Sequence, residues 1–168
     1  MKAAICLIAL AYLVLAGCSV AYVAPAGGKQ ASLTVQNRTL GQLTPYSFAD
    51  AATCSGAQKL TKGISLIGMV PGESVTVTIP AERDFSLQVW AGEPNDIGGT
   101  RSCNIVMTFT PTAGANYLAL AFEGTQNCSA QVFRVVASAT GENTFVKEPS
   151  VRVRETSGII RGHGYCRT

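Results

Sequence analysis

Ser74-Val75-Thr76-Val77-Thr78-Ile79-Pro80 alternates apolar and hydroxylated side chains without a break. A period of two places Val75, Val77 and Ile79 on one face and Ser74, Thr76 and Thr78 on the other, which only an extended strand achieves. Pro71-Gly72 marks a turn just before the run, and Pro80 closes it. The pattern returns at once: Phe85, Leu87 and Val89 alternate with Ser86 and Gln88. The expectation is a pair of half-buried antiparallel strands joined through residues 80–84.

The same reading extends outward. Residues 31–37 set Leu33 and Val35 against Ser32, Thr34 and Gln36, and form a first strand. Asn37-Arg38-Thr39 matches a glycosylation sequon but reads as a turn. Residues 43–47 make a short second strand, after which Ser47 is expected to cap a helical turn over residues 48–52. Residues 63–70 hold Ile64, Leu66 and Ile67 in another short strand. Residues 91–100 are a loop rich in Gly, Pro, Asn and Asp. Residues 102–110 and 116–123 are strands separated by Pro111-Thr112-Ala113-Gly114-Ala115, the strongest hairpin signal in the chain. Residues 128–138 follow as a strand, and residues 151–154 as a weak one. Turn signals recur every ~8–12 residues with no helical periodicity of length, so the expected fold is all-β, a single antiparallel β-sandwich of about seven or eight strands.

The N-terminus has a different character. Lys2 precedes an almost unbroken apolar run over residues 3–15, the layout of a secretory signal. The run is shorter than the roughly 20 apolar residues that a membrane span needs. It ends in Leu15-Ala16-Gly17-Cys18, which resembles a bacterial lipobox. The resemblance implies a signal peptide over residues 1–17 and a lipid on Cys18. Several acyl chains hold a protein firmly, at about 0.8 kcal/mol per buried CH2. Ser19 stands where the familiar sorting pattern would place an Asp for inner-membrane retention. The resemblance therefore points to the outer membrane, with the protein facing the periplasm. The alternative is an ordinary signal peptide cut after Ala24 or Ala26, with Cys18 discarded. Residues 18–30, broken by Pro25 and Gly27-Gly28, read as lipidated cysteine and flexible tether. Residues 31–140 are then the sandwich domain, and residues 141–168 a basic extension.

Six cysteines occur in the chain. Cys6 leaves with the signal and Cys18 is committed to lipid. Four remain, which in an exported protein reads as two disulfides with three pairings open. Cys103–Cys128 is favoured because these residues flank the expected hairpin, and Cys54–Cys166 follows by elimination. The wide spacing, with no C-x2-C pair, argues against zinc, and no metal or other cofactor is expected. The formal net charge is +3, too small to imply a nucleic-acid partner. Its distribution is uneven, however. The extension carries Lys147, Arg152, Arg154, Arg161 and Arg167 against Glu148 and Glu155. Either it is a solvated end or it touches an anionic surface.

Cys103-Asn104-Ile105-Val106-Met107-Thr108-Phe109-Thr110-Pro111-Thr112-Ala113-Gly114-Ala115-Asn116-Tyr117, with Cys128 beyond it, resembles small uncharacterised proteobacterial lipoproteins, as does residues 70–80. The likeness covers roughly residues 31–136, and its motifs are structural. It implies no activity.

Chemistry is sparse. His163 is the only histidine, and it is flanked by Gly162 and Gly164. A triad base must be held rigidly, so this is more simply an exposed loop residue. Glu82/Asp84 and Glu93/Asp96 are carboxylate pairs in loops, where acids are ordinarily just solvated. No P-loop, GxGxxG, HExxH or GxSxG motif occurs. Trp90 ends a strand beside the loop that holds Glu93, Asn95, Asp96 and Arg101; either it packs in the core or at its edge, or that combination is a candidate recognition loop, since Trp is a favoured anchor. The sequence therefore points to a non-enzymatic binding or scaffold module with an envelope protein as partner. Inhibition of an envelope-directed hydrolase such as lysozyme, through residues 91–101, is the alternative, and a hydrolase the third reading.

Overall fold

The alternating runs do form strands. The computed structural model of the chain describes residues 20–61, 68–92, 103–123, 128–137, 141–156 and 165–167. Eleven strands and no helix occur among them. They are β1 (Val20–Ala21), β2 (Gln30–Arg38), β3 (Gln42–Asp50), β4 (Ser55–Lys59), β5 (Ser74–Pro80), β6 (Phe85–Gly92), β7 (Cys103–Phe109), β8 (Asn116–Glu123), β9 (Cys128–Ala137), β10 (Asn143–Lys147) and β11 (Arg152–Arg154). Sheet A runs β1-β4-β3-β6-β7-β11, and sheet B runs β10-β9-β8-β2-β5.

The core lies between the sheets. Leu33, Val35, Ile79, Tyr117, Ala119 and Val132 enter it from sheet B, and Leu43, Leu87, Val89, Met107 and Phe109 from sheet A; all are buried. This two-sheet, sandwich-like arrangement matches the expected class. The strand number exceeds seven or eight. The sheets are also mixed rather than purely antiparallel, because β2 pairs β8 in parallel and β1 pairs β4 in parallel.

Both expected hairpins are in fact crossings between sheets. β5 pairs β2 in sheet B, whereas β6 lies in sheet A between β3 and β7. β7 belongs to sheet A and β8 to sheet B. Alternation explains the difference: it marks one buried face, and that face is the same whether two strands lie side by side or face each other across a core. The crossings are tied by their own hydrogen bonds. Glu82 donates its backbone N–H to the Pro111 carbonyl at 2.7 Å, and Gly114 to the Gln30 carbonyl at 2.7 Å. Gly114 sits at φ +74°, a conformation that favours glycine. The buried Tyr117 hydroxyl accepts the Thr112 N–H at 2.8 Å, the tyrosine-corner device at a sandwich crossing.

Three other expectations change. Residues 48–50 continue β3 instead of starting a helical turn. The Asp50 carboxylate takes the Ala52 N–H at 2.9 Å and the Thr53 hydroxyl at 2.7 Å, which bends the chain into the β3–β4 hairpin. Residues 20–30 are no loose tether. β1 pairs β4, Tyr22 donates its N–H to the Lys59 carbonyl at 2.9 Å, and its hydroxyl donates to the Thr78 carbonyl at 2.8 Å. The extension joins both sheets, β10 against β9 and β11 against β7. The strand expected over 63–70 falls largely outside the described residues; Met69 bridges Leu43.

The two disulfides are those expected, Cys54–Cys166 and Cys103–Cys128. The second bridges β7 to β9, and thus joins the two sheets rather than bracketing a hairpin. The sequon asparagine is fully buried. Asn37 donates to the Gly41 and Met69 carbonyls and accepts from the Thr39 N–H and hydroxyl, at 2.7–2.9 Å. Its amide is consumed in holding three segments together. Asn37→Ala leaves several buried groups unpaired and is expected to cost about 3 kcal/mol, read as a lower urea midpoint at unchanged slope.

Candidate functional site

β8 has apolar side chains on both faces. Tyr117, Ala119 and Ala121 point into the core and are buried. Leu118, Leu120 and Phe122 therefore project from the opposite face of sheet B, half-buried. Beyond Tyr117 the core side of the strand carries only two alanines, whereas the outer side carries two leucines and a phenylalanine. Register extends the patch: Phe133 lies opposite Leu118, Val135 opposite Asn116, and Phe145 of β10 opposite Val135. Phe145 is 53 % exposed. Lys147 lies opposite Phe133 and Arg38 beside Phe122, so a cation stands at each end of the patch. The other half of the same face is polar, with Ser32, Thr34 and Gln36 facing Thr78, Thr76 and Ser74, and the Thr34 and Thr76 hydroxyls 2.9 Å apart. No described strand packs on this face. A central strand that is apolar on both sides is ordinarily covered on both sides.

The outer face of sheet A is different, because the chain covers it. Phe48, Cys54, Val106 and Cys166 form a second small buried cluster there, with Tyr165 packed against it. Trp90 stays 44 % exposed at the margin, flanked by Thr44 and Asn104 on the neighbouring strands. Gln88 donates to Asn104 Oδ1 at 2.9 Å, and Asn104 Nδ2 hydrogen-bonds the Tyr165 hydroxyl. Of the candidate recognition patch only Trp90 is described. Glu93, Asn95, Asp96 and Arg101 lie outside the described residues, as do Cys18 and His163.

A cavity of about 610 Å³ opens at one end of the sandwich, lined by Tyr22, Pro25, Asp50, Arg83, Asp84 and Phe85 among others. Its carboxylates are committed. The Thr53 hydroxyl and the Ala52 N–H hold Asp50 below the usual carboxylate range. The Thr110 hydroxyl, and then Arg152 at 2.7 Å, do the same for Asp84 against the opposing effect of desolvation. Both are ionised at neutral pH, so neither serves as a proton donor. Glu82 is paired with Lys29. Burial pushes the Tyr22 phenol up. Three cations of the extension are also engaged internally. Arg152 pairs with Asp84, Arg154 donates to the Ala52 and Arg167 carbonyls, and Arg167 lies 3.9 Å from Glu155. Among the described residues no group of His, Cys, Asp or Glu is placed to hold a metal ion.

The depressed Asp84 gives a pH prediction. A folded-state pKa below the unfolded value stabilises the fold above the unfolded pKa, and that stability is lost as pH falls through the folded one. Asp84→Asn should therefore flatten the acid side of the stability curve. The pair is partly exposed, so solvent screening keeps the change to about 0.5 kcal/mol or less. Urea midpoints measured from neutral pH down through the carboxylate range check it.

β8 is what the sequence reading passed over as a site. Its signal was there in Leu118-Ala119-Leu120-Ala121-Phe122, a run with no polar alternation. Comparison with protein-family models, with curated proteins and with solved structures returns no match.

Proposed function

We propose that the chain is a lipid-anchored lipoprotein of the outer membrane, facing the periplasm, and that it acts as a non-enzymatic binding module for another envelope protein. The observation that carries this reading is the apolar outer face of β8, where Leu118, Leu120 and Phe122, with Phe133 and Phe145, lie on a sheet face that no described strand covers. Such a face gains stability only when another surface removes it from water. The occupant is a protein rather than the bilayer. The side of the sandwich nearest the anchor is tied to β5 through Tyr22 and Thr78, and the patch lies on the far strands of sheet B, up to four strand spacings or roughly 19 Å away. Arg38 and Lys147 at the two ends call for an acidic rim on the partner. Against catalysis stand the two acids of the cavity, Asp50 held by Ala52 and Thr53 and Asp84 by Thr110 and Arg152.

The test is co-purification of the lipidated protein with its partner from detergent-solubilised envelopes. Leu120→Asp and Phe133→Asp are expected to abolish recovery of the partner while the melting temperature stays near that of the parent. Retained recovery with either variant would overturn the assignment of the face.

A further inference from the structure

We infer that the β1 edge of the sandwich is a membrane-contacting surface, held against the bilayer by the shortness of its link to the lipid. The inference rests on the reading of Cys18 as the lipidated residue. The first described strand begins at Val20, two residues after Cys18 in the sequence. Two residues span at most ~7 Å even when fully extended. From Val20 onward the chain is fastened: Val20 and Ala21 pair with Gln58 and Lys59, and Tyr22 is tied to both sheets by its N–H and its hydroxyl. A lipid on Cys18 therefore leaves the domain no tether on which to swing.

The chemistry of the edge suits that position. Val20 is 63 % exposed and Val23 75 % exposed, apolar side chains beside the point where the acyl chains would enter. Tyr22, between them, packs on the core and donates its hydroxyl to the Thr78 carbonyl, which fixes the edge in place. Arg83 lines the same cavity as Tyr22 and Val23 and offers a guanidinium to lipid phosphates. Of the acids in that cavity, Asp84 is neutralised by Arg152, while Asp50 keeps its charge and is bonded to the Ala52 N–H and the Thr53 hydroxyl.

Brominated-lipid quenching of tryptophan tests this on the full-length, lipidated protein. Val23→Trp is placed on a Trp90→Phe background and reconstituted into vesicles whose acyl chains carry bromine. A twin carries a long Gly/Ser insertion after Ser19. The mass of the N-terminal peptide is read first; an unmodified Cys18 would refute the anchor itself, independently of the edge. With Cys18 lipidated, the expected result is strong quenching at position 23, loss of that quenching in the twin, and little quenching of Trp90 in the otherwise native protein. Equal quenching in both proteins, or none in either, would overturn the inference.

Discussion

Replacing Cys54 and Cys166 together by alanine is expected to lower the unfolding free energy by about 5 kcal/mol. The bridge closes a ring across 112 residues, two-thirds of the chain. In the chain-entropy account the cost of its loss appears in the unfolded state, which gains the freedom that the ring had removed. The denaturant slope should therefore rise as the midpoint falls. The folded state suffers too. Cys54 holds a left-handed backbone conformation at φ 54°, and the bridge packs on Phe48 and Val106. Tyr165, next to Cys166, reaches Asn104, the cross-strand neighbour of Trp90. Trp90 is the only tryptophan, so its emission should shift when the bridge is removed, before global unfolding. An unchanged midpoint would mean that the extension is held by β11 and its arginines alone.

Removing Cys103 and Cys128 together is expected to cost about 3.5 kcal/mol, less because the ring spans only 25 residues. This bridge has a more local role. It joins the first residue of β7 to the first residue of β9, fixing one sheet to the other at the end where Trp90 lies. Hydrogen exchange should quicken first at the start of β7 and of β9, while β2 and the middle of β8 stay protected. Uniform loss of protection would show instead that the sandwich opens as one unit.

The strands were legible wherever one face was buried, since Leu33/Val35, Val77/Ile79 and Leu87/Val89 each follow a period of two. The disulfide pairing was legible as well, though for a reason that does not hold: Cys103 and Cys128 flank a crossing and not a hairpin. Sheet membership was not legible, because facing strands and neighbouring strands alternate alike. Pro80 and Pro111 signalled turns correctly, but a turn does not say which sheet the chain enters next. β10 was missed because Asn143-Thr144-Phe145-Val146-Lys147 is exposed on both faces and so lacks the alternating signature. The anchoring of residues 20–30 depends on pairing with β4, a partner more than 30 residues away that local composition does not reveal. On the candidate site, Trp90 was legible as a strand-end residue, but whether it packed at the core edge or stood exposed was not; it is 44 % exposed. The apolar outer face of sheet B was not legible, because Leu118, Leu120 and Phe122 resemble core residues until the register shows that the core is filled from the other side.

Photo-crosslinking in intact cells tests the binding face most directly. A photoreactive residue is placed at Leu120 in the apolar half of the outer face of sheet B, or at Thr76 in its polar half, in the full-length chain. The expected result is a single dominant protein adduct from position 120, absent from position 76 and lost when Phe133→Asp is added. Adducts to lipid alone, or the same set of abundant envelope proteins from both positions, would contradict the proposal that this face seats a protein partner.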